Sequence, residues 1–147
     1  MQIKQLNPND LNEFVELVRL FADVFETPNF VLPTEKHLLN LLTKKDFCVF
    51  VAIVEGNVVG GITAYLLEQY YTNVPLAFIY DLAVQPTMQR KGIGKLLITH
   101  LNNWCAANGC QEAFVLAEAD DTQAIDFYHS TRAIATQVVN FNYVLSS

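Results

Sequence analysis

Paired cysteines are missing from this chain. Its three, Cys48, Cys105 and Cys110, are odd in number and lack ligand spacing. That excludes a disulfide framework or a zinc site and predicts reduced, buried or half-buried thiols, whose natural compartment is the cytoplasm. The three histidines, His37, His100 and His129, show neither metal nor triad spacing, so no metal is expected. No apolar run approaches the roughly 20 residues of a membrane span, and no apolar segment follows Met1-Gln2-Ile3-Lys4 as in a signal peptide. Basic residues are scarce, 9 against 15 acidic, for a net charge of −6. A nucleic-acid or anionic-membrane binder would be basic, so neither partner is expected. Repeats, linkers and low-complexity tracts are also absent. What is plentiful is apolar: 52% of 147 residues are hydrophobic and only 16% charged. One domain spanning 1–147 is expected, with a real core and a surplus of apolar residues suited to a subunit interface.

The periodicity changes along the chain. Gln2 to Leu6 reads as a first strand. Asp10 and Glu13 can form a capping box before a helix whose apolar face is Leu11, Phe14, Val15, Val18, Phe21, Ala22 and Phe25. Pro33-Thr34 opens a second helix with Leu38, Leu39, Leu41 and Leu42 inward. Strands follow at 47–54 and 58–68 around the turn Glu55-Gly56-Asn57, and again at 76–84. A helix over 94–108 stops at Asn108-Gly109. A strand at 112–118, a short helix at 122–130 and a last strand at 135–144 complete the order β-α-α-β-β-β-α-β-α-β. Hairpin strands imply antiparallel pairing, and the helix between 76–84 and 112–118 implies a parallel crossover. The expected fold is α/β (α+β): a central mixed, mostly antiparallel twisted sheet with helices on both faces.

The stretch "YDLAVQPTMQRKGIGKLL", 80–97, places Gln89, Arg90, Lys91, Gly92 and Gly94 where a strand hands over to a helix. Helix N-termini carry unpaired N–H groups and partial positive charge, and glycine lets backbone approach a bulky anion. A phosphate or diphosphate seat is therefore physically sensible. Spacing alone leaves a plain tight connection equally open, and the loop is neither a Walker A nor a dinucleotide fingerprint.

Gln89-Arg90-Lys91-Gly92-Ile93-Gly94 resembles the (Arg/Gln)-x-x-Gly-x-(Gly/Ala) motif of the GNAT superfamily of acetyl-CoA-dependent N-acetyltransferases. The strand "LAV" at 82–84 and "AIDFY" at 124–128 are similar as well, and the resemblance covers essentially the whole chain. "IYDLAV" at 79–84, "LFADVF" at 20–25 and Asp121-x-x-Ala124 look most like type I aminoglycoside 3-N-acetyltransferases. The resemblance implies that main-chain N–H groups from Gln89, Arg90, Lys91, Gly92, Ile93, Gly94 and Lys95 hold the pyrophosphate of coenzyme A. It implies a pantetheine arm beside Leu82, Ala83 and Val84, where strands 76–84 and 112–118 splay apart. Asp121 sits where many members place an asparagine against that arm.

Amine acetylation needs a proton acceptor for the amine and a donor for the leaving thiolate. By its match to the superfamily tyrosine, Tyr128 is the expected general acid; the alternative is a tyrosine packed in the core. Asp81 interrupts an apolar strand, which is costly unless it meets a cation, a donor or solvent. On strict alternation Phe78, Tyr80, Leu82 and Val84 share one face and Ile79, Asp81 and Ala83 the other. Asp81 is the expected amine anchor and possible proton acceptor, with Glu118 second. Glu118, Asp120 and Asp121 form an acidic rim, Asp120 or Asp121 also serving as a helix cap. Glu26 and Tyr80 are further candidates for a cationic pocket, although for Glu26 ordinary surface is the stronger reading. Two departures from the family pattern stand out: the glycine usual near the end of the tyrosine helix is missing from His129-Ser130-Thr131-Arg132-Ala133, and a proline common before that helix is missing, with Gln123 near that point. The expected activity is acetyl transfer to a cationic small-molecule amine, an aminoglycoside at the 3-N position. The alternatives are another amine acceptor or a non-catalytic acyl-CoA sensor, and a homodimer is expected across the last strand.

Overall fold

The computed structural model describes residues 1–146. The chain divides into two compact units, Met1–Leu116 and a second that begins at Ala117. The first holds a five-stranded sheet: β1 (Gln2–Gln5), β2 (Phe47–Val54), β3 (Asn57–Leu67), β4 (Leu76–Val84) and β5 (Ala113–Val115), in that spatial order. The β1–β2, β2–β3 and β3–β4 pairs are antiparallel and β4–β5 is parallel. The sheet is thus mixed and mostly antiparallel, as expected. The β2–β3 hairpin turns through Glu55 and Gly56, both at positive φ (51° and 79°). That is the requirement of a tight two-residue turn matching the strand twist.

Helices α1 (Leu11–Val24) and α2 (Glu35–Leu42) cover one face, where Phe14, Leu17, Leu20, Phe21, Leu38 and Leu42 are buried with Phe47, Val49, Val51, Val58 and Ala83. The other face receives α3 (Ile93–Ala107), which buries Ile93, Leu97, Ile98, Leu101 and Cys105. Gly61 sets the distance of α1 from the sheet. A Cβ there would lie 2.7 Å from Leu17 Cδ2 and 3.0 Å from the Phe50 carbonyl oxygen. All three cysteines are free, and burial pushes the Cys105 thiol up to about 12. No helix among the described residues is long and apolar enough to cross a membrane.

Several expectations need correction. Asp10 does precede α1 but makes no capping hydrogen bond. Its carboxylate accepts from the Asn7 N–H at 2.9 Å and pairs with Lys4 Nζ at 2.9 Å, and Glu13 reaches the same ammonium at 3.6 Å. The cation from β1 captures both acids that would have closed the capping box. Leu39 is 38% exposed, because it points away from the face shared by Leu38 and Leu42. The strand expected at 112–118 is only Ala113–Val115, since β4 offers it partners from Ala77 to Ile79 alone.

The second unit contains α4 (Thr122–Ser130), at the expected bounds. The final strand expected at 135–144 is not formed: residues 134–146 carry no regular structure, and their apolar side chains are exposed. The residues have strand-like composition, but a strand exists only when its backbone finds a partner, and the sheet ends at β5. Thr34 caps α2 as expected, accepting from the His37 N–H at 3.2 Å.

Gly61→Ala should destabilise the fold by about 1–3 kcal/mol, the usual cost of overpacking a filled core. Chemical denaturation of the two proteins side by side measures it.

Candidate active site: an open strand edge, a half-buried carboxylate and an amide-lined loop

β4 carries the site because it does two things at once. Along its whole length it pairs with β3, yet β5 accompanies it only from Ala77 to Ile79. From Tyr80 to Val84 the edge away from β3 has no strand partner among the described residues, leaving alternate backbone groups available to an extended polar ligand. The splaying expected for strands 76–84 and 112–118 is therefore present.

The register explains how. Ile79 pairs with Ala64 and Asp81 with Thr63, so Tyr80 is an extra residue on β4. This bulge overturns the face assignment made from strict alternation. Cross-strand partners share a face. Phe78 is opposite Tyr65 and Asp81 opposite Thr63; Ala83 is opposite Gly61, which α1 covers. Phe78, Asp81 and Ala83 therefore lie together on the α1 side. Ile79, Leu82 and Val84 lie on the other side with Ala64, Ile62 and Gly60. One added residue shifts every side chain beyond it by one face.

On the α1 side the bulge assembles an aromatic wall around Asp81. Tyr80 stands edge-on to Tyr65 and to Phe78, each at 5.7 Å between centroids; Phe78 stacks on Phe114 at 4.8 Å, and Tyr65 tilts against Phe47 at 5.0 Å. The buried Thr63 accepts from the Asp81 main-chain N–H through Oγ1 at 3.2 Å. Burial raises the Asp81 carboxyl above the usual aspartate range, and no cation among the described residues pairs with it. Tyr65 is raised too, by burial first and then by the neighbouring Tyr80, Asp81 and Asp46. Tyr65 was missing from the sequence-based candidates. Only the cross-strand register brings it to Asp81, and no local motif marks it.

The loop after β4 begins with a 3-10 turn at Pro86–Met88. Gln89 braces it: its side-chain Nε2 donates to the Val84 carbonyl at 3.0 Å, and its own N–H donates to Pro86 O at 3.4 Å. The Gln89 N–H thus has an acceptor within the loop. Arg90 and Gly92 both take positive φ (63° and 83°). Gly92 starts α3 without a side-chain cap, and the first helical bond runs from the Leu96 N–H to the Gly92 carbonyl. The N–H groups of Arg90, Lys91, Gly92, Ile93, Gly94 and Lys95 have no acceptor among the described residues. Alternation of left- and right-handed residues before a helix N-terminus makes an anion-binding concavity. Arg90, Lys91 and Lys95 are exposed and make no ion pair among the described residues. This loop fits a diphosphate, and the open β4 edge fits an amide-bearing arm.

Glu26 lies just past α1 at φ 52°, exposed, and no contact among the described residues ties it to Asp81. In the second unit, Glu118 and Asp120 are exposed in the segment before α4. Asp121 caps α4, its Oδ1 accepting from the Ala124 N–H at 3.0 Å. Tyr128 is half-buried on α4, its ring 5.3 Å from that of Phe127.

Comparison with known proteins decides the family. Residues 14–132 match the Acetyltransferase (GNAT) family. The chain belongs to that family. It is an N-acetyltransferase, and its co-substrate is acetyl-CoA. A curated relative, an aminoglycoside N(6′)-acetyltransferase type 1 of Salmonella typhimurium, is 25% identical over 114 residues, 69% of this chain and 79% of that protein. An aminoglycoside acetyltransferase from an uncultured soil metagenomic sample, meta-AAC0020, has a crystal structure in complex with sisomicin. It is 49% identical, with a TM-score of 0.96 over 99% of this chain and 96% of that one. A second soil metagenomic aminoglycoside acetyltransferase, HMB0005, is 30% identical with a TM-score of 0.91 over 99% and 98%. The Salmonella relative is a 6′ enzyme, so the expected 3-N type finds no support there.

The raised Asp81 carboxyl has a consequence for stability. Its folded pKa lies above the unfolded value, so folding favours the protonated form. That contribution is complete below the unfolded pKa and is lost as pH rises through the folded one. Asp81→Asn should therefore raise the thermal midpoint at neutral pH, and the gain should vanish in acid, where both side chains are neutral. Thermal melts across pH check it.

Proposed function

We propose that this GNAT enzyme acetylates an amine of an aminoglycoside, with Asp81 anchoring the ammonium. The observation that carries the reading is Asp81 itself, a half-buried carboxylate without a cation, walled by Tyr65 and Tyr80 beside the open edge of β4. A buried charge without a counter-ion is held at a cost, and a cationic ligand removes that cost. The sisomicin complex of the 49% identical relative supports an aminoglycoside as the ligand. The 6′ name of the Salmonella relative favours the 6′ amine over the 3-N position. The family match from 14 to 132 supports reading the chain as one catalytic domain.

Acetyl-CoA supplies the acetyl group as an activated thioester. The free amides from Arg90 to Lys95, with the cations of that loop, hold the diphosphate. The exposed β4 backbone from Leu82 to Val84 aligns the arm. Asp81 fixes the ammonium and takes its proton, directly or with Glu118 as the second acceptor, so that the neutral amine attacks. Tyr128 returns a proton to the departing sulfur. Asp120 and Asp121 add negative charge at the rim, while the Asp121 side chain also caps α4.

Thiol release from acetyl-CoA against a panel of aminoglycosides, polyamines and peptides tests the reading, with the acetylated position located by NMR. Turnover on aminoglycosides is expected; activity confined to peptides, or acetyl-CoA binding with no turnover on any amine, overturns it. Asp81→Asn should raise the KM for the amine by about 10–100-fold, the loss of one charge-assisted hydrogen bond. Tyr128→Phe should lower kcat by about 100-fold or more while the affinity for coenzyme A is kept. Unchanged turnover would remove Tyr128 from the mechanism.

A further inference from the structure

The far end of α3 brings two thiols together. The helix stops at Ala107, and Gly109 follows at φ 77°. The Gly109 N–H donates to the Ala106 carbonyl at 3.0 Å, and the Cys110 N–H to that of Cys105 at 3.0 Å. These are the two bonds of a Schellman termination, a motif in which the side chains of the residues joined by the outer bond meet. Here those residues are Cys105 and Cys110, so thiols fill a place usually taken by an apolar contact. Standard bond lengths across that hydrogen bond hold the two Cα atoms to about 7 Å at most, within the reach of a disulfide. Burial, and then the charge and hydrogen bond of the Cys110 thiol, raise Cys105; the two side chains therefore face each other.

Access separates the three cysteines. Cys110 is half-buried, while Cys105 is 3% exposed and Cys48, on β2, is 2% exposed. Cys48 is raised by burial and then by Cys105, and it accepts from Gln5 Nε2 at 3.8 Å. An oxidant arriving from solvent meets Cys110 first. The joint that Cys110 belongs to matters to the sheet. The Gln111 N–H donates to the Pro75 carbonyl at 2.9 Å, and the Ala77 N–H donates to the Glu112 carbonyl at 2.9 Å. The turn from Cys105 to Cys110 thus delivers β5 to β4.

We infer that Cys110 is a reversible oxidation site for hydroperoxides, with Cys105 as the resolving thiol that closes a disulfide onto it. In the first step the Cys110 thiolate attacks a peroxide oxygen. An S–O bond forms, the O–O bond breaks, and the departing hydroxide or alkoxide takes up a proton. The sulfur is now a sulfenic acid, oxidised by the two electrons that reduce the peroxide. That step also removes the Cys110 negative charge that opposes ionisation of Cys105. In the second step the Cys105 sulfur gives up its proton and attacks the Cys110 sulfur. The S–S bond forms, the S–O bond breaks, and the oxygen leaves as water. A dithiol reverses the bond by exchange. Oxidation past the sulfenic acid would fix a negative charge at the α3–β5 joint, whereas the disulfide keeps that joint neutral.

Titration of the reduced full chain with hydrogen peroxide tests the inference. Remaining thiols are alkylated under denaturing conditions, and disulfides are located by peptide mass mapping. Two of the three thiols should be lost, to a Cys105–Cys110 bond within one chain, with Cys48 alkylated and dithiothreitol restoring both. Cys105→Ala should leave Cys110 as a sulfenic acid that dimedone captures. That variant should pass on to the sulfinic acid at peroxide concentrations where the unaltered protein stops at the disulfide. Cys110→Ala should keep Cys48 and Cys105 reduced under the same treatment. A Cys48–Cys105 bond, a bond between two chains, or a Cys110 sulfenic acid that persists beside a free Cys105 overturns the inference. So does a Cys110 that stays reduced at peroxide concentrations that oxidise free cysteine. Should either variant fail to fold, the disulfide map of the unaltered protein still decides.

Discussion

Everything at the site depends on one residue too many in β4. Tyr80 has no partner on β3, and the ladder resumes at Asp81 only by shifting faces. A bulge bends its strand and increases the local twist. Parallel pairing with β5 stops at Ile79, the residue before it. The same irregularity exposes the backbone from Tyr80 to Val84 and turns Asp81 toward the α1 side, next to Tyr65. Without it, β5 would have no reason to stop short, and Asp81 would share the α3 face with the packed core of Ile93, Leu97 and Leu101. The open backbone edge and the half-buried carboxylate are thus two results of one insertion.

Charge is sorted on either side of that insertion. The chain is acidic overall, yet Arg90, Lys91 and Lys95 gather after β4 with no carboxylate drawn onto them. Asp81, within β4, pairs with no cation among the described residues. Both ion pairs among the described residues lie elsewhere, on Lys4. A protein that maximised its own ion pairs would have joined these groups. Keeping them apart leaves each sign available to a ligand of the opposite sign. The amides from Arg90 to Lys95 act in the same way, because a cap on α3 would have used donors that are instead directed outward.

The sequence made the helices and the loop legible and hid the register. Helical spacing marks α1, α2 and α3 because each buries one stripe, and Gly92 with Arg90 announces the turn into α3. The bulge is not marked by the residues around it: "FIYDLAV" is an apolar run broken only by Asp81, and a face assignment from strict alternation fails at Tyr80. Tyr65 became visible only through its distant partner Phe78. The capping box at Asp10 failed for the same reason, since Lys4 competes from another element. The last strand failed because composition reports the capacity to pair, not the presence of a partner. In each case a local signal was overruled by a contact made far along the chain.

The end of α4 shows the opposite, a local rule kept without its usual residue. The family pattern has a glycine after the tyrosine helix, and this chain has Arg132. Arg132 nonetheless takes the left-handed conformation, φ 71°. The Ala133 N–H donates to the Tyr128 carbonyl at 3.2 Å, and the Arg132 N–H to that of His129 at 3.0 Å. These are the two bonds of a Schellman termination. A side chain in that region costs roughly 1–2 kcal/mol, and two satisfied carbonyls offset part of it. The helix therefore ends at a defined residue instead of fraying, and the chain leaves Ala133 in a set direction.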